Sequence, residues 1–417
     1  MRLITDWHIH SGYSRACSKE LTLPNIAKAC ERKGINIVAA PDWTHPAVFS
    51  DIEELLVEDR PGMYRLKDGS SKTWFMLSTE VAQIYKKGGR CRRIHNNIMS
   101  PSIEVSKKIN KELERREFNL KSDGRPILGI DSEELYKVLK DIDQRIIMIP
   151  AHAWTPWFAV FGSKSGFDSL EECFGEMTQY IYAVETGLSS DPPMNWHLSG
   201  LDKVVLVSNS DAHSLPKLGR EANVFEVKDP SYDEFVRIMK EQDRDNFLYT
   251  IEFYPEEGMY HADGCRNCEF SCEPDQTRKL DGKCPTCKKP MTIGVWSRVV
   301  EIADRKSDSL PKDRIPYKSI VPLDVIMAEV NGVKTLSSKK VQEMYQKATT
   351  ELGTEFDILL DTPISEIKKF DPRLAEAIER MRTGKIHIKP GYDGVYGEVS
   401  IWSDKERPKG LQQKTLI

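Results

Sequence analysis

The chain has 417 residues, 39% hydrophobic and 30% charged, with net charge −4; this is a soluble, core-forming composition, too long for one core, so two or three domains are expected. No run of about 18 apolar residues occurs, which argues against a membrane span, and the first residues lack a basic region followed by an apolar one. Nine cysteines, five of them between 265 and 287, argue for metal chemistry in a reducing compartment, the cytoplasm, rather than a disulfide frame.

Leu3-Ile4 opens a first strand that closes on His8 and His10. Alternate strand residues share a face, so both imidazoles point the same way, and imidazole is the commonest metal ligand. A helix over 23–34 follows, ending at Gly34. Short apolar runs recur at 34–43, 74–81, 145–154, 182–187 and 203–213, with helical periodicity over 131–142 and 232–242. The alternation predicts an α/β fold of parallel strands joined by crossover helices, as a barrel or an open sheet. In both, chemistry gathers at the carboxyl ends of strands. Those ends carry Asp42, Glu80, His152, Glu185, Asp211 and His213. One capping Asp there is commonplace; six strands ending in metal-binding side chains point to a metal cluster.

The total charge hides a basic stretch: residues 86–125 hold twelve Lys/Arg against five Asp/Glu, a local footprint for phosphate. Arg90, Arg92 and Arg93 lie within it. Farther on, Cys265-x2-Cys268 and Cys284-x2-Cys287 are two knuckles with the spacing of a closed structural zinc site. Cys272 and His261 are spare donors. From Ser307 a polar, Pro-bearing stretch leads to helices over 337–352 and 371–384, then an alternating pair around a Gly-rich turn at 385–402. Three units follow: 1–255 with the cluster, a zinc-binding module at 256–300, and a mainly helical C-terminal domain at 301–417.

The order H-x-H, Asp, Glu, His, His and S-D-A-H resembles the PHP phosphoesterases (the polymerase and histidinol phosphatase superfamily). The resemblance implies a distorted seven-stranded β/α barrel holding two or three divalent ions (zinc, manganese or magnesium). It assigns His8, His10, Asp42, Glu80, His95, His152, Asp211 and His213 as ligands, with His45 and Glu185 as further candidates, and puts Asp211, His10 and Glu80 at the centre of the chemistry. The usual T-D-H reads Pro41-Asp42-Trp43, with the histidine displaced to His45. Arg15 in "YSRA" stands where many members have an aspartate, so a third-metal ligand is lost or moved, and Arg15 is suited to grip phosphate. Trp43, Trp154 and Trp157 flank ligand positions and are expected at the barrel mouth, where they would receive an extruded base.

"YSRA", "DWTHP", "SDAH" and "PGYDGVYGE" together resemble a DNA-repair branch of that superfamily. That implies hydrolysis of the phosphodiester 5′ to a deaminated base (uracil, hypoxanthine, xanthine) or an abasic site, leaving 3′-hydroxyl and 5′-phosphate ends. The alternative is a phosphatase of a small phosphomonoester such as histidinol phosphate, which needs neither the cysteine module nor the tail. "LQQKTLI" at 411–417 resembles the start of a sliding-clamp-binding peptide without its aromatic anchors, so any clamp contact is expected to be weak.

Overall fold

The computed structural model describes residues 1–403, 405 and 406, so the clamp-like stretch at 411–417 lies outside the described residues. The first unit contains strands β1 (Arg2–Asp6), β2 (Ile37–Ala40), β3 (Leu56–Arg60), β4 (Met63–Leu66), β5 (Trp74–Lys87), β6 (Arg90–Ser100), β7 (Ile127–Leu128), β8 (Ile147–Pro150), β9 (Ala183–Glu185), β10 (Val205–Val207), β11 (Ala222–Glu226) and β12 (Phe247–Glu252). The fold is mixed α/β. The expected helices form at Leu23–Lys33, Ser132–Ile142 and Tyr232–Glu241. Gly34 closes the first with φ +88°, a left-handed end that glycine reaches without a Cβ clash. Asp131 and Ser231 cap the other two.

The pairing is not all parallel. β1 lies parallel to β2 and β2 to β5, but β1 with β11, β5 with β6, and β6 with β8 are antiparallel. The largest departure from the expected order is the β5–β6 hairpin. Its β-branched and aromatic residues continue past Glu80 to Lys87, and Gly88-Gly89, with φ +61° and +74°, make the two-residue turn that suits strand twist. β9 and β10 form their own parallel ladder. It is joined to its neighbours on both sides: the Ala153 N–H donates to the Glu185 carbonyl (3.0 Å), and the Asn223 side chain of β11 exchanges two hydrogen bonds with the Ser208 main chain, both 2.8 Å. Asn223 thus stands in for a missing pair of ladder bonds, as a buried backbone requires.

The cysteine module holds β13 (Asp263–Cys265) and β14 (Phe270–Cys272). β15 (Tyr317–Ser319) then returns to the main sheet, parallel to β12. Helices at Leu323–Val330, Lys339–Glu351, Ile364–Phe370 and Pro372–Arg382 follow. They are tied to the first helix where buried Glu355 meets Lys33 (2.8 Å) and the Tyr345 hydroxyl (2.6 Å). β16 (His387–Lys389) and β17 (Glu398–Ser400) flank the Gly-rich turn. That turn docks on residues 256–262: Gly391, Gly394 and Gly397 donate to the carbonyls of Glu256, Met259 and Glu257, at 2.8–3.1 Å. A Cβ on Gly397 would sit 2.0 Å from the Glu256 oxygen, so the approach demands glycine there.

Candidate metal centre

His8 and His10 project from the segment after β1, and Asp211 follows β10. One donor atom from each lies within 4.8 Å of the other two, and Glu80, His95 and His152 form a second such trio. Glu80 faces both. Its Oε1 lies 2.6 Å from His95 Nδ1 and 3.0 Å from His152 Nε2; its Oε2 lies 3.4 Å from His10 Nε2 and 3.7 Å from His8 Nε2. One carboxylate therefore stands between two three-residue donor sets. Glu80 does not end its strand, contrary to the sequence reading, and neither does His95, which the resemblance alone assigned. They lie inside the β5–β6 hairpin, with Glu80 opposite Asn97 and His95 opposite Ala82, because the hairpin carries both strands past the site.

Asp42 and Glu185 depart from the expected ligand set and instead hold imidazoles in place. Asp42 accepts from Ser11 N–H and hydroxyl (2.7 Å each) and the Ser14 hydroxyl (2.8 Å), leaving its other oxygen on His10 Nδ1 at 3.1 Å. Glu185 spans His8 Nδ1 (3.0 Å), the His152 N–H (2.9 Å), and the Asn97 and Asn209 amides. Such carboxylates fix the tautomer, so that His8 and His10 turn Nε2 to the cluster. His45 is also set apart, its Nδ1 accepting from the Ala47 N–H at a helix start and its ring against Tyr13. His213 sits on the rim against His10, with Nδ1 donating to the Asp211 carbonyl (2.8 Å).

The donor set fits divalent cations. His8 Nε2 is buried without a hydrogen-bond partner among the described residues. Burial disfavours charge on His8 and His10, yet the facing carboxylates outweigh it and raise both imidazoles well above their ordinary range. The cavity therefore draws in positive charge, which borderline ions with nitrogen and oxygen ligands supply. Asp42, His152 and Asp211 have φ of +50°, +31° and +46°. Strained backbone of this kind collects at functional sites.

Sequence reasoning missed three supports. Arg125 reaches Glu80 Oε2 at 3.0 Å, whereas Arg15 is exposed. Buried Asp6 accepts from Ser210 N–H and hydroxyl and from Gly219 N–H, and Arg220 donates to the Ser210 and Asp211 carbonyls; both pin the loop that carries Asp211. Only the basic run ending at Arg125 was visible beforehand.

Three substrate contacts expected from sequence are corrected. Trp43 and Trp154 are 0% exposed: Trp154 donates to Asn195 (2.7 Å) and packs on Phe161. Standing beside a ligand in sequence did not aim either ring at the mouth. Arg92 donates to the Gly166 and Lys87 carbonyls and covers Phe167, so it braces the hairpin. Arg90 and Arg93 are exposed. Arg93 shares a strand face with His95 and lies over Phe158, which packs on the His95 ring. The exposed aromatics among the described residues are Tyr13 (48%), Trp157 (43%) and Tyr396 (71%).

In the cysteine module Cys265, Cys268, Cys284 and Cys287 converge within 4.8 Å, while Cys272 turns to Thr277. Glu269 and Lys288, each directly after the second cysteine of a knuckle, have φ +49° and +62°. The Cys287 and Thr286 N–H groups hold the Cys284 thiol down to about 6, while its neighbours, Cys287 first, push Cys268 up to about 12. Four such sulfurs ionise together only around a cation.

Behind Glu185 lies a buried pair of acids. The Ala222–Ile251 pairing sets Glu221 beside Glu252, and burial raises Glu252 to about 8. The folded state thus keeps a proton that the unfolded chain releases near its ordinary value, and stability falls as pH rises through that interval. Glu252→Gln is expected to raise the melting temperature more at pH 8.5 than at pH 5. An equal shift at both pH values would rule out a shared buried proton.

Residues 322–385 match the family model of the MJ0043 C-terminal domain. MJ0043 of Methanocaldococcus jannaschii is 34% identical over 61% of this chain, and the match spans about a third (32%) of that protein's length. The crystal structure of the lesion-specific endonuclease PfuEndoQ from Pyrococcus furiosus superposes with TM-score 0.86 at 31% identity, covering 100% of this chain and 98% of the other. The chain belongs to the endonuclease Q family. A second endonuclease Q structure, in complex with a 27-mer duplex bearing an abasic lesion at the active site, matches with TM-score 0.84 at 31% identity over 98% of both chains. The family's fold thus spans the cluster, the cysteine module and the C-terminal helices together. No helix among the described residues is long and apolar enough to cross a membrane.

Proposed function

We propose that this chain is a metal-dependent DNA-repair endonuclease, built on a PHP-like barrel, that cuts the phosphodiester 5′ to a deaminated base or an abasic site and leaves 3′-hydroxyl and 5′-phosphate ends. The observation that carries the reading is Glu80 standing between His8–His10–Asp211 and His95–His152. Two or three divalent ions held there would activate a water as nucleophile and offset the charge growing on phosphate oxygens. The chain's own residues do the rest. Glu80 fixes the spacing of the two donor sets, and Arg125 beside it offers a guanidinium for a non-bridging oxygen. His213, half-exposed beside His10, would serve as a further ligand. Arg15, Arg90 and Arg93 are exposed and would contact backbone phosphates. Cys265, Cys268, Cys284 and Cys287 hold one structural zinc.

The test is incubation of the Mn2+-loaded protein with duplexes carrying a single uracil or abasic site, beside p-nitrophenyl phosphate. A single nick 5′ to the lesion, lost in Asp211→Ala, is the expected result. Turnover of the small ester without incision would make the chain a phosphomonoesterase instead.

Arg93→Ala is expected to weaken damaged and undamaged duplexes alike and to flatten the log–log salt slope by roughly 0.9. Binding titrations at four salt concentrations measure both. A loss confined to damaged DNA would make Arg93 a lesion reader.

A further inference from the structure

Where the first helix meets the C-terminal helices, a cavity of about 300 Å3 opens to solvent. Its walls come from three places: the helix Leu23–Lys33, the pair Leu215-Pro216, and the helices Leu323–Val330 and Lys339–Glu351. Ala29, Leu215, Pro216 and the Tyr345 ring make the lining mostly apolar, and the volume is at the small end for a ligand pocket. None of the metal-centre side chains lines it, yet Leu215 is only two residues beyond His213.

The charges on these walls do not satisfy one another. Lys28 and Arg32 stand four residues apart on one face of their helix, where like charges repel. Neither makes an ion pair among the described residues. Glu31, the only acid of that helix, accepts instead from the Ser71 hydroxyl (2.9 Å) and the Lys72 N–H (2.7 Å). Glu20, at the rim, turns to the Asn25 amide. On the facing wall Glu355 is fully engaged by Lys33, the Tyr345 hydroxyl and the Leu323 N–H. Asp324 beside it is not. It makes no ion pair among the described residues, and its one hydrogen bond comes from the adjacent Val325 N–H (2.9 Å). Burial and the charge of Glu355 raise its carboxyl above the ordinary value, against the pull of Lys33 and Lys217. One wall thus holds an acceptor short of donors, and another holds two cations short of an anion.

We propose that this cavity binds a guanine mononucleotide, with Asp324 accepting from the base's N1–H and 2-amino group and with Lys28 and Arg32 holding the phosphate. Guanine presents two adjacent N–H donors, the pattern that the two oxygens of a carboxylate accept together. A phosphate between Lys28 and Arg32 replaces their repulsion by two charge-assisted contacts. The apolar lining covers the faces of the purine. Adenine would set its N1 lone pair against the carboxylate and leave that acceptor unpaired. A nucleotide bound there joins the C-terminal helices to the first helix and braces the segment that leaves Asp211 and His213. The site is separate from the metal centre and does not depend on the endonuclease reading.

The experiment is equilibrium dialysis of the full chain against GMP, guanosine, AMP and XMP, repeated with Lys28→Ala plus Arg32→Ala and with Asp324→Asn. Wild type is expected to take up one equivalent of GMP and to bind it at least about tenfold more tightly than AMP or guanosine. The double variant is expected to bind GMP no better than guanosine. Asp324→Asn is expected to prefer XMP to GMP, because its amide pairs a donor and an acceptor with the C2 carbonyl and N1–H of xanthine. Misfolding cannot produce that gain. Hydrogen-exchange protection over residues 214–218 should rise when GMP is added to wild type. Competition by a duplex ending in 5′-phosphorylated dG would assign the same site to a strand end, and its absence to the free nucleotide. GMP uptake that every variant retains would place the nucleotide elsewhere, and no saturable uptake at millimolar GMP would leave the cavity without this ligand; either result overturns the proposal.

Discussion

Glu80→Gln is expected to lower incision by at least about a thousandfold while leaving the fold and DNA binding largely intact. The side chain is buried, and its two oxygens face different donor sets: Oε1 toward His95 and His152, Oε2 toward His10, His8 and Arg125. The amide keeps the volume but supplies one neutral acceptor, and its NH2 faces imidazole nitrogens that also need their lone pairs for a cation. Both donor sets are weakened by one substitution, whereas Asp211→Ala weakens one. A thousandfold loss corresponds to about 4 kcal/mol of transition-state stabilisation. Metal analysis should find less than the wild-type content at the cluster, with the cysteine-bound zinc unchanged. Retention of a tenth of wild-type activity at saturating Mn2+ would remove Glu80 from its bridging role.

The contrast between Glu80 and the tryptophans explains what the sequence could reveal. His8, His10, His152, Glu185 and Asp211 were legible because short strands deliver whatever follows them to one end of a sheet, so proximity in sequence to a strand end translates into proximity in space. Glu80 was read as a strand end and His95 came from resemblance alone; both lie inside their strands, because the Gly88-Gly89 turn carries β5 and β6 past the site. The division of labour among carboxylates was invisible. Asp42 and Glu185 read like ligands, and only the positions of Ser11, Ser14, Asn97 and Asn209, distant in sequence, reveal that their oxygens are already occupied. Trp43 failed for a local reason. It follows an Asp with positive φ, and its indole is fully buried in the core. Arg125 is 45 residues from Glu80, and no periodicity links them. The antiparallel pairing of β1 with β11 likewise depends on a return across the whole first unit.

Cys284→Ser with Cys287→Ser is expected to unfold the 256–300 module and to release the Gly-rich turn with it. The module's buried apolar cluster comprises Cys265, Cys272, Cys284 and Met291, with Phe270 and Leu280 packed partly against it. A core that small cannot offset the entropy of ordering some 45 residues, and such units depend on a metal or disulfides. Structural zinc supplies roughly 10–16 kcal/mol of apparent binding free energy in small modules, and there it is folding free energy. The turn is coupled because Asp393 accepts from the Arg266 N–H (2.7 Å) and the Thr292 hydroxyl (2.5 Å), while the Tyr392 ring fills the space that Gly264 leaves. Residues 256–300 and 391–397 should therefore lose hydrogen-exchange protection together, with β1, β2 and β5 unaffected. DNA affinity should fall for every duplex, and zinc content should drop by one equivalent. A double variant that keeps wild-type zinc content would show that these cysteines do not hold it; one that loses zinc but keeps protection at 391–397 would show that the turn is held by residues 256–262 alone.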